Sequence, residues 1–181
     1  MEFVPTRIPD VVLIKPFAFG DPRGFFLESW NRKRFAEGNL DLDFVQDNHS
    51  HSGQWALRGL HYQVRQTQGK LVRVSRGAAF DVAVDVRRGS TTFGHWVGAE
   101  LSAENHQMLW VPPGFAHGFL ALTGEVDFLY KCTEYYAPEH ERVIHWNDAS
   151  IGIEWPIPTG VSPQLSARDA RGVAFGEAEY L

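Results

Sequence analysis

The chain has 181 residues, 44% of them hydrophobic, which suits one compact domain (1–181) with a substantial core. Its formal charge of −5 contains no block of like charges, which argues against nucleic acid or an anionic membrane as partner. Cys132 is the only cysteine, so there is neither an internal disulfide nor a thiolate metal site, and a lone thiol of this kind is ordinarily buried and inert.

In chain order, Val11–Ile14 is a short β-branched run ending at Pro16, and Met1–Ile14 lacks the basic region and long apolar run of a signal peptide. No stretch approaches membrane-spanning length, and the expectation is a cytoplasmic protein. Asp21-Pro22-Arg23-Gly24 reads as a turn and Phe25–Trp30 as a strand. The one helix expected lies at about Asn31 to Glu37, stopped by Gly38. Phe44–Asn48 follows as a strand and His49–Gln54 as a polar loop.

Period-two alternation is clearest in Phe80–Val86, with Phe80, Val82, Val84 and Val86 on one face and Asp81, Ala83 and Asp85 on the other. Further strand-like runs are His95–Leu101, Met108–Val111, Phe119–Leu122, Val126–Thr133, Val143–Trp146 and Ile151–Trp155. Short turn-forming clusters separate most of them, which predicts an all-β barrel or sandwich. Ile157–Pro163 reads as an irregular surface segment, and by spacing alone Asp169 is a solvated turn or cap residue.

The chemistry concentrates in Leu57-Arg58-Gly59-Leu60-His61-Tyr62-Gln63 and Gly69-Lys70-Leu71-Val72-Arg73-Val74. A structural strand has no use for a histidine, two arginines and a lysine among apolar neighbours. A catalytic histidine with anion-binding partners accounts for them better than a core histidine with a satisfied ring. Strand parity nonetheless sets Arg58 and His61 on opposite faces, so both meet one ligand only if the pleat is interrupted, with Gly59 the place for a bulge.

Pro112-Pro113-Gly114-Phe115-Ala116-His117 has the P-x-G-x-x-H spacing of the second cupin motif. The earlier metal-binding half is missing: Gln66 and Thr67 follow His61 where glutamate is needed, and Trp55 follows His49-Ser50-His51. Catalytic metal sites usually need about three protein ligands, so no metal is expected.

Taken together, the chain resembles the dTDP-4-dehydrorhamnose 3,5-epimerases, metal-free cupin-like enzymes. The resemblance rests on Phe19–Phe26, Phe44–Asn48, Leu57–Gln63, Gly69–Val74, Phe80–Asp85, Pro113–Phe119, Tyr130-Lys131, Tyr135–Pro138 and Trp146–Asp148, in the family's order. It implies a jelly-roll barrel of antiparallel strands with one or a few short helices, no cofactor, and a dTDP-4-keto-6-deoxyhexose substrate. The implied product is dTDP-4-dehydro-L-rhamnose, for dTDP-L-rhamnose biosynthesis.

By that resemblance His61 is the base, Tyr130 the acid, Lys70 the group at the sugar carbonyl, and Asp169 the carboxylate that orients His61. Strand parity sets Tyr130 beside Val126 and Phe128 on an inward face, while the ordinary readings are a core tyrosine, a surface lysine and a solvated aspartate. Arg23, Glu28, Gln46, Asn48, Arg58, Lys70, His117, Glu141 and Arg168 match substrate-contacting positions. Phe26 could stack on thymine or serve the core. Arg168 stands where the family usually has lysine, which keeps the charge but changes its geometry.

The resemblance also implies a homodimer whose N-terminal strands join the neighbour's sheet, so that Arg23 and Glu28 serve the other subunit. The alternatives are a relative that inverts one carbon only or acts on another nucleotide 4-keto sugar, a non-catalytic sugar-nucleotide binding module and, last, a metal-dependent cupin oxygenase.

Overall fold

The computed structural model describes residues Met1–Leu181. Its strands are β1 (Glu2–Pro5), β2 (Val12–Lys15), β3 (Ala18–Asp21), β4 (Gly24–Leu27), β5 (Gln46–Gly53), β6 (Leu57–Gln63) and β7 (Lys70–Arg76). They continue with β8 (Ala78–Asp85), β9 (Trp96–Ser102), β10 (Met108–Val111), β11 (Phe115–Ala121), β12 (Glu125–Cys132) and β13 (Glu141–Val143). The one α-helix, α1 (Arg32–Glu37), is capped by the Asn31 side chain, which accepts from the Arg34 amide, and closes at Gly38.

Two antiparallel sheets carry the fold, ordered β1-β2-β10-β7-β12-β5 and β13-β6-β11-β8-β9. Between them lies a cluster of 15 buried residues, including Val72, Val74, Leu109, Phe119, Val126 and Phe128. Phe119 and Phe128 stack across the gap with ring centres 4.0 Å apart. Burying each ring fully contributes about 1.5–3 kcal/mol.

Both outer faces are covered too, which explains why β8 is buried on both sides. Val82 and Val84 pack outward with Leu60 under Ile144, Ile151 and Ala178. On the other sheet, Leu71, Met108 and Trp110 lie under Phe35, with Trp30 and Phe44 alongside.

Three expectations are corrected. His49–Gln54 is not a loop, because β5 runs to Gly53 and pairs along its whole length with β12. Ile151–Trp155 forms no strand; Ile151, Ile153 and Trp155 instead cover the outer face of the five-stranded sheet. The strand begun at Phe25 ends at Leu27, in a β3–β4 hairpin that belongs to neither large sheet.

The expected interruption at Gly59 is present. On β11, His117 lies opposite His61 but Phe119 lies opposite Arg58, so three residues of β6 span what two span on its partner. Gly59 has φ +131°, and the Gly59–Leu60 peptide is cis. A Cβ at Gly59 would stand 2.6 Å from the Gly118 Cα. Gly59→Ala should therefore cost about 2–4 kcal/mol in urea denaturation. Gly124→Ala, where an added Cβ meets nothing within 4 Å, is the control and should stay within about 1 kcal/mol of the parent.

Candidate active site

Between the sheets the inward positions change from apolar to polar and leave a cavity of about 350 Å³. Gln46, Asn48 and Ser50 face it from β5, Arg58 and His61 from β6, Lys70 from β7, His117 from β11 and Tyr130 from β12. Glu141, Tyr136 and Arg168 close its mouth. The register explains the grouping: Tyr130 lies opposite Asn48 on one side and Val72 on the other, and His117 lies opposite His61.

His61 is held from the far end of the chain. Its Nε2 lies 2.5 Å from Asp169 Oδ1, and the two residues are 108 positions apart. Ser166 Oγ donates to Asp169 Oδ2 at 2.7 Å and accepts from the Asp169 amide at 3.1 Å. Burial alone would push the Asp169 carboxyl up, but hydrogen bonds from His61, Ser166 and the Gly59 amide outweigh it and lower it. An ionised carboxylate only accepts, so Nε2 carries the proton and the Nδ1 lone pair is the basic position. Asp169 is buried rather than solvated, against the reading from spacing.

Lys70 is only 8% exposed despite standing at a strand start. Burial pushes its ammonium down, while Cys132 and Asp81 pull the other way. Tyr130 packs against the central core. Burial pushes its phenol up, helped by Cys132 and opposed by Arg58. The Cys132 thiol is likewise raised by burial, which keeps it protonated and unreactive.

The remaining polar groups are anchored before any ligand arrives. Arg58 donates from Nε to Ser52 Oγ and from a terminal nitrogen to the His51 carbonyl, both at 3.1 Å. Gln46 Nε2 donates to Asn48 Oδ1 at 3.0 Å and its Oε1 accepts from the Tyr136 amide at 2.9 Å. Arg168 pairs with Glu141, whose carboxylate also accepts from the Tyr136 hydroxyl at 2.8 Å. The arginine fork thus ties the C-terminal segment to the mouth of the cavity.

Two residues named from sequence lie elsewhere. Arg23 is exposed on the β3–β4 turn and pairs with Asp21, and Glu28 bonds Arg34 and Asn31. His49 and His51 also lie outside the cavity, both against Asp127. No three His, Cys, Asp or Glu side chains are grouped to hold a metal. Sequence reasoning missed Ser166 and Asp81. The first is signalled by the Ser-x-x-Asp spacing of a side-chain cap, the second by its place on the acidic face of β8.

The fold and its interior define a cupin-like antiparallel β-sandwich with a histidine, a lysine and a tyrosine around one internal cavity. A family profile described as dTDP-4-dehydrorhamnose 3,5-epimerase matches residues 5–177. A dTDP-4-dehydrorhamnose 3,5-epimerase of Pseudomonas aeruginosa is 57% identical over 99% of this chain and 98% of its own. The Legionella pneumophila dTDP-6-deoxy-D-glucose-3,5-epimerase, solved with dTDP-4-keto-L-rhamnose, superposes with TM-score 0.95 at 49% identity. That match covers 98% of this chain and 94% of the other. A 3′-monoepimerase of Streptomyces bikiniensis, in complex with dTDP-quinovose, gives TM-score 0.88 at 33% identity, covering 95% and 87%. The chain belongs to the dTDP-4-dehydrorhamnose 3,5-epimerase family.

The lowered Asp169 carboxyl has a stability consequence of definite sign. Its contribution is complete above the unfolded carboxylate value of about 3.9 and is lost as pH falls through the lower folded value. Asp169→Asn should cost about 1–3 kcal/mol at pH 7. The gap to the parent in urea denaturation should shrink toward about pH 3.

Proposed function

We propose that the protein inverts C3 and C5 of dTDP-4-dehydro-6-deoxy-D-glucose to give dTDP-4-dehydro-L-rhamnose. The observation that carries the reading is the convergence of an Asp169-held histidine, a buried lysine and a protonated tyrosine on one cavity. A binding module has no need of that set.

Hydrogens at C3 and C5 flank the C4 ketone, so removing either as a proton gives an enolate. His61 Nδ1 takes the proton, breaking C–H and forming N–H, while the electron pair moves onto the C4 oxygen. Lys70 stabilises the negative oxygen with its ammonium, a charge interaction strengthened by the burial of Lys70. Tyr130 returns a proton from its hydroxyl to the opposite face, and exchange with solvent resets base and acid. Hydrogen moves only as a proton, so no redox cofactor has a step in this cycle, and the charge at the enolate oxygen is supplied by Lys70.

Arg58 and His117 serve the phosphate and sugar, Gln46 and Asn48 the amide-reading contacts, and Glu141 with Arg168 the mouth. No helix is long and apolar enough to cross a membrane, and a lone cysteine without a disulfide fits the reducing cytoplasm.

The dimer belongs to the same proposal. β1 and β2 are hydrogen-bonded within this chain's own sheet, so the segment left to reach a neighbour is the β3–β4 hairpin. Phe19 and Phe26 on it are 68% and 71% exposed, an apolar surface that a second copy would cover. Such a hairpin carries Arg23 and Glu28 toward the partner's cavity. A Phe19→Ser/Phe26→Ser variant should sediment as a monomer and lose about tenfold or more in kcat/KM. A fully active monomer removes this part of the proposal.

The reaction is tested by incubating the protein with dTDP-4-keto-6-deoxyglucose in D2O with EDTA and following both ring positions by proton NMR. Signal is expected to disappear at C3 and C5, and His61→Ala to slow this by about a thousandfold. Exchange at one carbon alone makes it a monoepimerase. Binding without exchange leaves a sugar-nucleotide binding module.

A further inference from the structure

Asp81, on β8, is 0% exposed and stands behind the residues that line the cavity. Its Oδ2 is 2.8 Å from His117 Nε2. Its Oδ1 has no hydrogen-bond partner, which is costly for a buried carboxyl and calls for a reason. His117 faces the cavity from β11, the strand beside β8, and Lys70 faces it from β7 in the opposite sheet, so Asp81 adjoins the one and looks across the sandwich toward the other.

We propose that Asp81 is a positioning residue that fixes the orientation of His117 and supplies the negative charge that keeps the buried Lys70 ammonium protonated. The inference rests on the epimerase reading, because Lys70 needs its charge only if a negative oxygen develops beside it.

Burial pushes the Asp81 carboxyl up and the Lys70 ammonium down, so each alone is driven toward its neutral form. The charge and hydrogen bond of His117 oppose this at Asp81, and the attraction between Asp81 and Lys70 opposes it at both, so each charge favours the other.

The other groups facing Lys70 do not replace Asp81. From β12 come Cys132, kept as a thiol by burial, and Tyr130, kept as a phenol. From β6 come Arg58 and His61, and from β11 His117, none of which brings a negative charge. Glu141 at the mouth is engaged by Arg168 and Tyr136. Ionised Asp81 accepts from His117 Nε2 and leaves Nδ1 as that ring's free nitrogen.

The test compares Asp81→Asn with the parent. The amide keeps the shape and an acceptor but removes the charge. The alkaline limb of kcat should move to lower pH, with about a tenfold loss at pH 9 and little change in KM. The chain has four lysines, so the Lys70 Cε resonance can be followed by 13C-lysine NMR. It should titrate at lower pH in the variant. An unmoved limb with an unmoved Lys70 resonance overturns the proposal, and the NMR readout stands even if the parent shows no epimerase activity.

If Asp81→Asn folds poorly, the Lys70→Met/Asp81→Asn double variant decides. Paired charges predict that it melts above Asp81→Asn alone, whereas equal losses in both backgrounds mean the two residues are uncoupled.

Discussion

The hydrogen bond from His61 Nε2 to Asp169 Oδ1 makes demands on every layer of this molecule. The ring must face inward, which the bulge at Gly59 achieves by returning His61 to the side of the sheet that Arg58 faces. Its partner must arrive from a segment with little regular structure. Two isolated bridges bring that segment in, Ala56 with Gln164 and Ile144 with Val173, on either side of the three-residue turn that starts at Asp169. The bulge therefore turns His61 toward the one carboxylate that the C-terminal segment brings to it. One hydrogen bond thus fixes the tautomer, the direction of the basic lone pair and the path of the C-terminal segment.

A cavity of this polarity works against the fold. Lys70, Asp81, His117 and Gln63 occupy inward positions that would otherwise hold apolar side chains, and each buried polar group costs unless it is partnered. The surroundings offset that cost. The stacked Phe119 and Phe128 line the cavity, and apolar layers close the outer face of each sheet. Three packed clusters make up for the polar interior. The cavity walls are therefore stiff, and Arg58, Gln46 and Glu141 are already bonded in place. Such preorganisation spares the enzyme reorganisation at the moment charge develops.

Much of this was legible from local chemistry. The Asn31 cap and the Gly38 stop bound the helix, the alternation in Phe80–Val86 marks β8, and parity alone required an irregularity between Arg58 and His61. The misreadings share one cause, which is tertiary context. His49–Gly53 looks like a loop because it is polar on both faces. In place, Ser50 and Ser52 face inward to the cavity and Arg58, while His49 and His51 meet Asp127 across the sheet. Ile151–Trp155 looks like a strand because it is apolar, yet its side chains are buried by capping a sheet rather than joining one. Asp169 could be found only through the resemblance, since no local spacing reports a contact 108 positions away.

The proposed chemistry turns on Asp169 holding His61 as the Nε2–H tautomer, with Nδ1 the base. The decisive measurement is of the 15N shifts of the neutral His61 ring. A protonated-type Nε2 and a bare, lone-pair-type Nδ1 are expected, with the preference lost in Asp169→Ala. A proton on Nδ1, or shifts that ignore the Asp169 substitution, would contradict it.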